Sequence, residues 1–457
     1  GFTGKQVAAA IDAHVRRGWH VRWALAGRSS ARLSELCARL HLKPHGILEA
    51  DVKDNAALRG MAERCALLLN CTGPYRFLGE PVVAAAVGAS TDYVDLCGEP
   101  EFIERMALRY GDAARDAGVR VVHACAFDSV PADIGAIFTA MQFTPPSRCA
   151  HVNMYHTVKV AEGASGAYAH ATTFEAAVHG FAGVGEAREQ RKQLLDRMEA
   201  RAPGSSKGAP PIGPRLRARP GPFFHPRLQK WAFLFPGADA AVVRATQRAL
   251  AASGANAVSD AAPGDATAAP PNTASGGAAQ LSPQFAAYVC VNTTSAMVVM
   301  AIFGTLFNFL ARRDWGRKLL LAHPKLFSWG AFSRKGPSKQ MLDGTSFCSW
   351  FEGCGYSNPE EASPTKPFDR FVTCTVSGPE PGYVATPLLF LAVAQTLLDE
   401  TAPELRRAGG VFTPGGLIGS AGRDSILRFV ERCCVLGVDF RVAAVADGAF
   451  PKLHAKL

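Results

Sequence analysis

A chain of 457 residues that is 48% hydrophobic and 19% charged is too apolar for a disordered protein and long enough to bury more than one core. Its net charge of +10 invites a nucleic-acid reading, but no binding motif accompanies it and the first basic cluster has little aromatic interleaving, so nucleic acid is set aside as a partner. Twelve cysteines include no C-x-x-C pair, which argues against a metal site and, in so large a chain, against a disulfide scaffold.

The first element is the end of a glycine-rich turn. In GFTGKQVAAAIDAHV, Gly1 and Gly4, around Phe2 and Thr3, stand where the second and third glycines of G-x-x-G-x-x-G would stand. The first of these lets backbone approach a pyrophosphate, and the second lets the next helix pack closely on its strand. Lys5–Val15 is that helix, with Val7, Ala8, Ile11 and Val15 on one face. No strand precedes it and there is no initiator Met, so the sequence reads as an N-terminally truncated copy without its first strand. Val21–Ala26 is the next strand, and its tip carries Gly27, Arg28 and Ser29, with Arg32 one turn on and no carboxylate before Glu35. An arginine at that tip accommodates the 2′-phosphate of NADP, where an acid would favour NAD. NADP is the cofactor expected, with NAD the alternative; a solvated loop arginine would look the same.

Strands follow to Asp51, over Ala66–Asn70, Tyr93–Leu96 and Val119–Ala124, with helices at Ala56–Cys65, Glu80–Gly88 and Glu101–Ala117. The alternation predicts an α/β protein with a doubly wound parallel sheet of Rossmann type, its first strand missing. After the fourth strand, Cys71, Thr72, Gly73, Pro74 and Tyr75 form a small turn suited to pass the nicotinamide ribose. The candidate cofactor residues are thus Gly1, Phe2, Thr3, Gly4, Arg28, Ser29, Arg32, Asp51 and Cys71 to Tyr75. Tyr75 reads as packing on the nucleotide more than as an acid. Asp95 and Glu99 read as ribose-positioning or helix-capping residues. His123, Asp128 and Ser129 supply triad residue types, but closeness in sequence is not triad geometry, and a structural, cofactor-lining role is preferred. His151 and His156 read as ordinary histidines, and no catalytic residue is singled out.

GFTG, LAGRS, NCTGPYRFLGEPVVAAAV, DYVDLCGE and HACAFDSVPADIGA, continued by FLFPGADAAVVRATQRAL, GRKLLLAHPKLFSWGAFSRKGP, GPEPGYVATP and AGGVFTPGG, together resemble the saccharopine dehydrogenase-like oxidoreductases. The later blocks resemble the eukaryotic branch associated with lipid droplets and membranes. The resemblance implies an NADP-dependent oxidoreductase. By analogy with relatives resembling trans-acting enoyl reductases, its substrate would be a lipid-linked carbonyl or enoyl group. It also implies the cytosolic face of a lipid droplet or membrane, with cytoplasm or mitochondrion as alternatives, and leaves a homo-oligomer open. Two departures favour a rival, a nucleotide-binding membrane adaptor whose chemistry has lapsed. Ala126 replaces a glycine, and a Ser-Gly-Gly-Thr turn reads Ser165-Gly166-Ala167-Tyr168, with Thr172 and Thr173 displaced. Saccharopine is disfavoured as substrate, because no clamp of paired arginines is evident.

Basic residues cluster twice: Arg188 to Lys207, leading into a linker with Arg215, Arg217 and Arg219, and Arg312 to Lys339. Before the second lies Phe285–Ala311, uncharged and long enough to cross a hydrocarbon layer as one helix. The alternative is a strand from Ala286 to Asn292 and a buried helix. The expected organisation is a nucleotide domain over 1–135, an α+β domain over 136–380 with loops near 200–222 and 252–283, and a C-terminal part over 381–457. That last part begins with the apolar helix Gly382–Leu398, which returns to the cleft.

Overall fold

A computed structural model describes residues 1–163, 166–201, 211–259, 281–399, 405, 408–448 and 450. Ser165, Lys207 and the greater part of the expected 252–283 loop lie outside the described residues. The first part runs α1 (Phe2–Arg16), β1 (Ala24–Gly27), α2 (Ser30–Leu40), β2 (Gly46–Glu49), α3 (Asn55–Ala62), β3 (Leu67–Asn70), α4 (Tyr75–Leu78), α5 (Glu80–Gly88), β4 (Asp92–Asp95), α6 (Pro100–Asp116) and β5 (Arg120–Val122). Next come α7 (Val130–Ala140), β6 (Arg148–Val160), β7 (Ala169–His170), α8 (Ala171–Ala182), α9 (Val184–Arg201), β8 (Phe223–His225), β9 (Lys230–Leu234), α10 (Asp239–Ser259) and β10 (Gln284–Val291). α11 (Thr294–Ala311), α12 (Asp314–Ala322), α13 (Pro324–Phe327), β11 (Phe332–Ser333), α14 (Lys339–Gly344), β12 (Thr345–Tyr356) and β13 (Arg370–Pro379) follow. The chain closes with α15 (Thr386–Leu398), β14 (Gly410–Phe412), α16 (Pro414–Ser420), α17 (Arg423–Leu436) and β15 (Asp439–Asp447).

The nucleotide sheet is parallel throughout but comes in two pieces, β2–β1 and β3–β4–β5–β14. This is the doubly wound order with β1 and β3, the strands that flank its centre, each lacking a second partner among the described residues. Caps fix its helices: the Ser29 side chain accepts the Arg32 N–H at 3.3 Å, and Asp54 accepts those of Ala56 and Ala57 at 3.0 Å. β14, from near the C-terminus, supplies the far edge.

The second sheet has seven strands in the order β15-β13-β12-β6-β10-β9-β8. β6 and β12 pair antiparallel at its centre, and β10 runs parallel to β6. Helix α7 lies buried on one face. Gly135 permits the contact, since a Cβ there would stand 2.3 Å from the Phe351 ring. The division expected at residue 135 falls inside this helix. α15 is buried along most of its length and packs on α1, β3 and β4 as well as on α17, so one core joins both sheets.

Phe285–Ala311 is not one helix. β10 takes its first part, as the alternation from Ala286 allows, and Thr293 then caps α11, accepting the Ala296 N–H at 3.1 Å. Yet α11 is not buried as a core helix should be: only 17% of it is. Phe307, Leu310 and Ala311 face Phe174 and Val178 of α8, while Val298, Ile302, Leu306 and Phe309 face outward.

Candidate functional site

The glycine turn is shorter than the sequence pattern predicts, because α1 begins at Phe2 with Gly1 at its cap and Gly4 already helical. Gly4 keeps the second role expected of it. Its missing side chain brings α1 onto the turn after β3, a Cβ there lying 3.4 Å from that of Cys71. Nothing lies within 4 Å of the equivalent point at Gly1, and the first turn of α1 carries no acid. The leading N–H groups of a helix suit a pyrophosphate. At the tip of β1, Arg28 and Arg32 are exposed. Glu49, which sequence reasoning passed over, accepts the Ser30 N–H at 2.9 Å and so is committed to the end of α2. Asp51 accepts the Lys53 N–H at 3.0 Å in a turn beyond β2. Among the described residues the Arg28 and Arg32 guanidinium groups have no ion-pair partner, and with the first-turn amides of α1 they are a donor set that fits NADP.

The Cys71–Tyr75 turn rests on a buried polar chain. Asn70 Oδ1 accepts the Thr72 N–H at 2.9 Å, and Asn70 Nδ2 donates to the Tyr93 hydroxyl at 2.9 Å. That hydroxyl donates to Asp95 Oδ2 at 2.9 Å, and His123 Nδ1 donates to the same oxygen at 2.7 Å. Asp95 is fully buried, so it organises the strand ends and does not reach a ribose. Tyr75 also turns inward. Its hydroxyl donates to the Asn70 carbonyl at 2.8 Å and accepts the Leu96 N–H at 3.2 Å, and burial pushes its pKa up. It therefore lies behind the turn, with no free hydroxyl for acid chemistry. Glu99 does cap a helix, but α4 and not α6: it accepts the N–H groups of Tyr75 at 2.8 Å and Arg76 at 3.0 Å.

His123, Asp128 and Ser129 form no triad, since His123 is bound to Asp95. Asp128 instead sits against the loop after β4, its Oδ2 3.6 Å from where a Gly98 Cβ would be. Its side chain is exposed to solvent, with protein atoms crowded around it. Desolvation raises its pKa to about 6, with a further upward push from Asp239 and an opposing one from His156. His156 is no ordinary histidine. Ser349 donates to its Nδ1 at 2.6 Å, and its Nε2 donates to Asp239 at 2.9 Å. The Ser–His–Asp order is that of a nucleophilic triad, but Ser349 is fully buried and no substrate reaches it.

Across the cleft, Tyr383 accepts the His170 N–H at 2.7 Å. The Phe2 ring lies edge-on to Tyr383 at 4.7 Å and stacked on His170 at 5.7 Å. The structure thus gathers Gly1 to Gly4 and Cys71 with Tyr383 and His170, and separately Gly98 with Asp128. Arg28, Ser29 and Arg32 stand apart on the β1–β2 piece, where an adenosine end would lie. Sequence reasoning missed Gly98, His170 and Tyr383. Their signals are the Cys97-Gly98-Glu99 turn after a parallel strand and the GYVATP block.

The first basic cluster is largely spent on packing: Arg191 pairs with Glu104 at 2.6 Å and Arg201 with Asp112 at 2.6 Å, binding α9 to α6. The second is open. Arg312, Lys318, Lys325, Arg334 and Lys335 are exposed beside Trp315, Leu319, Leu326 and Trp329, which are exposed as well.

A parallel sheet in the doubly wound order with a helix N-terminus at its switch point defines a dinucleotide-binding protein. Residues 1–122 match the family model described as the saccharopine dehydrogenase NADP binding domain, and the cofactor is NADP. The human saccharopine dehydrogenase-like oxidoreductase is 33% identical over 98% of this chain and 96% of its own length. The chain belongs to the saccharopine dehydrogenase-like oxidoreductase family. A Caenorhabditis elegans lipid droplet localized protein is 28% identical over 92% of both chains. A Mycobacterium tuberculosis protein provisionally named a trans-acting enoyl reductase is 42% identical over 136 residues, 29% of this chain and 32% of its own. Yeast apo saccharopine dehydrogenase (L-Glu forming) shares the fold, with a TM-score of 0.52 at 12% identity over 97% of this chain and 98% of that one.

Proposed function

We propose that this chain is an NADPH-dependent reductase of a lipid-linked carbonyl or enoyl group, working at a membrane or lipid-droplet surface. The observation that carries the lipid part is α11, an uncharged helix of 18 residues only 17% buried, beside the exposed cations Arg312, Lys318, Lys325, Arg334 and Lys335. An apolar face of that size in water is costly unless something apolar covers it. The names of the nematode and mycobacterial relatives support the same direction.

In this reading the amides of Phe2, Thr3 and Gly4, with Gly1, hold the pyrophosphate, while Arg28, Ser29 and Arg32 hold the 2′-phosphate. Asp51 lies on the adenosine side, Cys71 to Pro74 line the nicotinamide ribose, and Tyr75 supports that turn from behind. NADPH, when bound, supplies a hydride. Asp128 holds the proton for the substrate, and its raised pKa suits it to give that proton up near neutral pH. Tyr383 and His170, clasping Phe2, close the far side and exclude water.

NADPH oxidation measured on a panel of acyl and enoyl lipids tests the reading. Turnover is expected, with Asp128→Asn lowering kcat by about 10²–10⁴-fold and leaving NADPH affinity unchanged. The wild-type rate should fall as pH rises through about 6, a limb that the variant loses. Tight NADPH binding with no turnover on any lipid would replace the reductase with the lapsed adaptor.

A further inference from the structure

Next to α11, residues 322–334 enclose an open groove of about 840 Å³, within the roughly 300–1,000 Å³ range of small-molecule sites. Its lining is mainly apolar, with Ala322, Leu326, Trp329 and Phe332, and its charged groups are Lys325 and Arg334. No acid lines it, and among the described residues neither cation has an ion-pair partner. Leu326 and Trp329 are 67% and 69% exposed. The groove wall leads toward the cleft. β11, carrying Phe332 and Ser333, pairs in parallel with Ala169 and His170, and the Tyr168 and Ala169 amides donate to the Ala331 carbonyl at 2.8 and 3.0 Å. His170 stacks on Phe2, and Gly336 lies so close that a Cβ there would meet the Phe2 ring at 2.6 Å.

We propose that this groove takes the acyl chain of an anionic lipid, with Lys325 and Arg334 on its charged group, and so holds the tail of the substrate one strand away from the cofactor turn. The assignment rests on the reading of the chain as a reductase of lipid-linked groups. A chain that enters an apolar groove gains about fourfold in affinity per buried methylene, so a long chain should bind and a short one should not. The lone cations select an anionic head over a neutral one.

Calorimetric titration of the full chain with oleate, below the concentration at which it aggregates, tests the site. Saturable one-to-one binding is expected for oleate and none for octanoate. Ala322→Phe, which fills the groove from an exposed position, should weaken oleate at least tenfold while NADPH affinity and flotation with vesicles stay as in the wild type. Lys325→Glu with Arg334→Glu should weaken oleate at least tenfold and leave oleyl alcohol unchanged. The proposal is overturned if wild-type protein shows no saturable oleate binding, or if both variants bind oleate as the wild type does. Failure of the reductase reading is a different result: oleate bound and sensitive to Ala322→Phe, but no NADPH oxidised on any lipid.

Discussion

At the scale of single residues, the proposed cofactor site makes nucleotide choice turn on Arg28. A guanidinium with no partner among the described residues can turn its whole fork on a phosphate, and charge-assisted contacts are the strong ones. NADPH should bind more tightly than NADH, and Arg28→Asp should erase that preference by about tenfold or more, the equivalent of about 1.4 kcal/mol. Fluorescence titration with both nucleotides checks it, and equal affinity for the two, unchanged by the substitution, would remove Arg28 from the site. The place of Arg28 is legible in sequence because it depends only on standing at a strand tip, and its proposed role follows from that place. Asp128 is not, because what shifts it comes from elsewhere: desolvation by the folded protein around it, and Asp239 more than a hundred residues after it. Tyr75 misleads for the converse reason. A tyrosine after a cofactor turn could be an acid until Asn70 and Leu96 claim its hydroxyl.

At the scale of elements, the parallel half is readable and the antiparallel half is not. Each βα step of the first part is set by periodicity within some thirty residues. β6, by contrast, finds its partner β12 nearly two hundred residues on, and no local pattern encodes that. α11 falls between these cases. Its lack of charge is visible, but whether a core covers it depends on how far α8 and α12 reach around it. They cover Phe307, Leu310 and Ala311 and stop. Ile302→Glu with Leu306→Glu changes residues that are 62% and 46% exposed, so the cost in stability should stay within about 0.5 kcal/mol per site. Flotation with anionic vesicles should nevertheless fall at least tenfold. Replacing Arg312 and Lys318 by Gln should weaken it by about fivefold each, at about 1 kcal/mol per juxtamembrane cation. A double glutamate variant that floats as well as wild type would show that α11 does not meet lipid.

At the scale of the whole molecule, the two sheets are joined by buried acids as well as by the shared apolar core. Asp133, on α7, is fully buried and accepts the Gly415 N–H of α16 at 2.7 Å. Asp239 at the head of α10 adds a like charge. Desolvation outweighs the hydrogen bonding and raises the Asp133 pKa to about 7. Asp128 and Asp239 are shifted upward too. The sign follows from proton counting. An aspartate titrates at about 3.9 in the unfolded chain, so between about pH 4 and 7 the folded state holds a proton that the unfolded state releases, and stability falls as pH rises across that window. His151 and His179, whose pKa values burial lowers, oppose this at the acid end, so only a difference between variants isolates the joint. Asp133→Asn keeps an oxygen for Gly415 and cannot ionise. It should melt at a higher temperature than wild type at pH 8, with the gap closing toward pH 5. Scanning calorimetry across that range decides the matter: parallel pH profiles for the two proteins would mean that Asp133 does not titrate where its burial between α7, α10 and α16 requires.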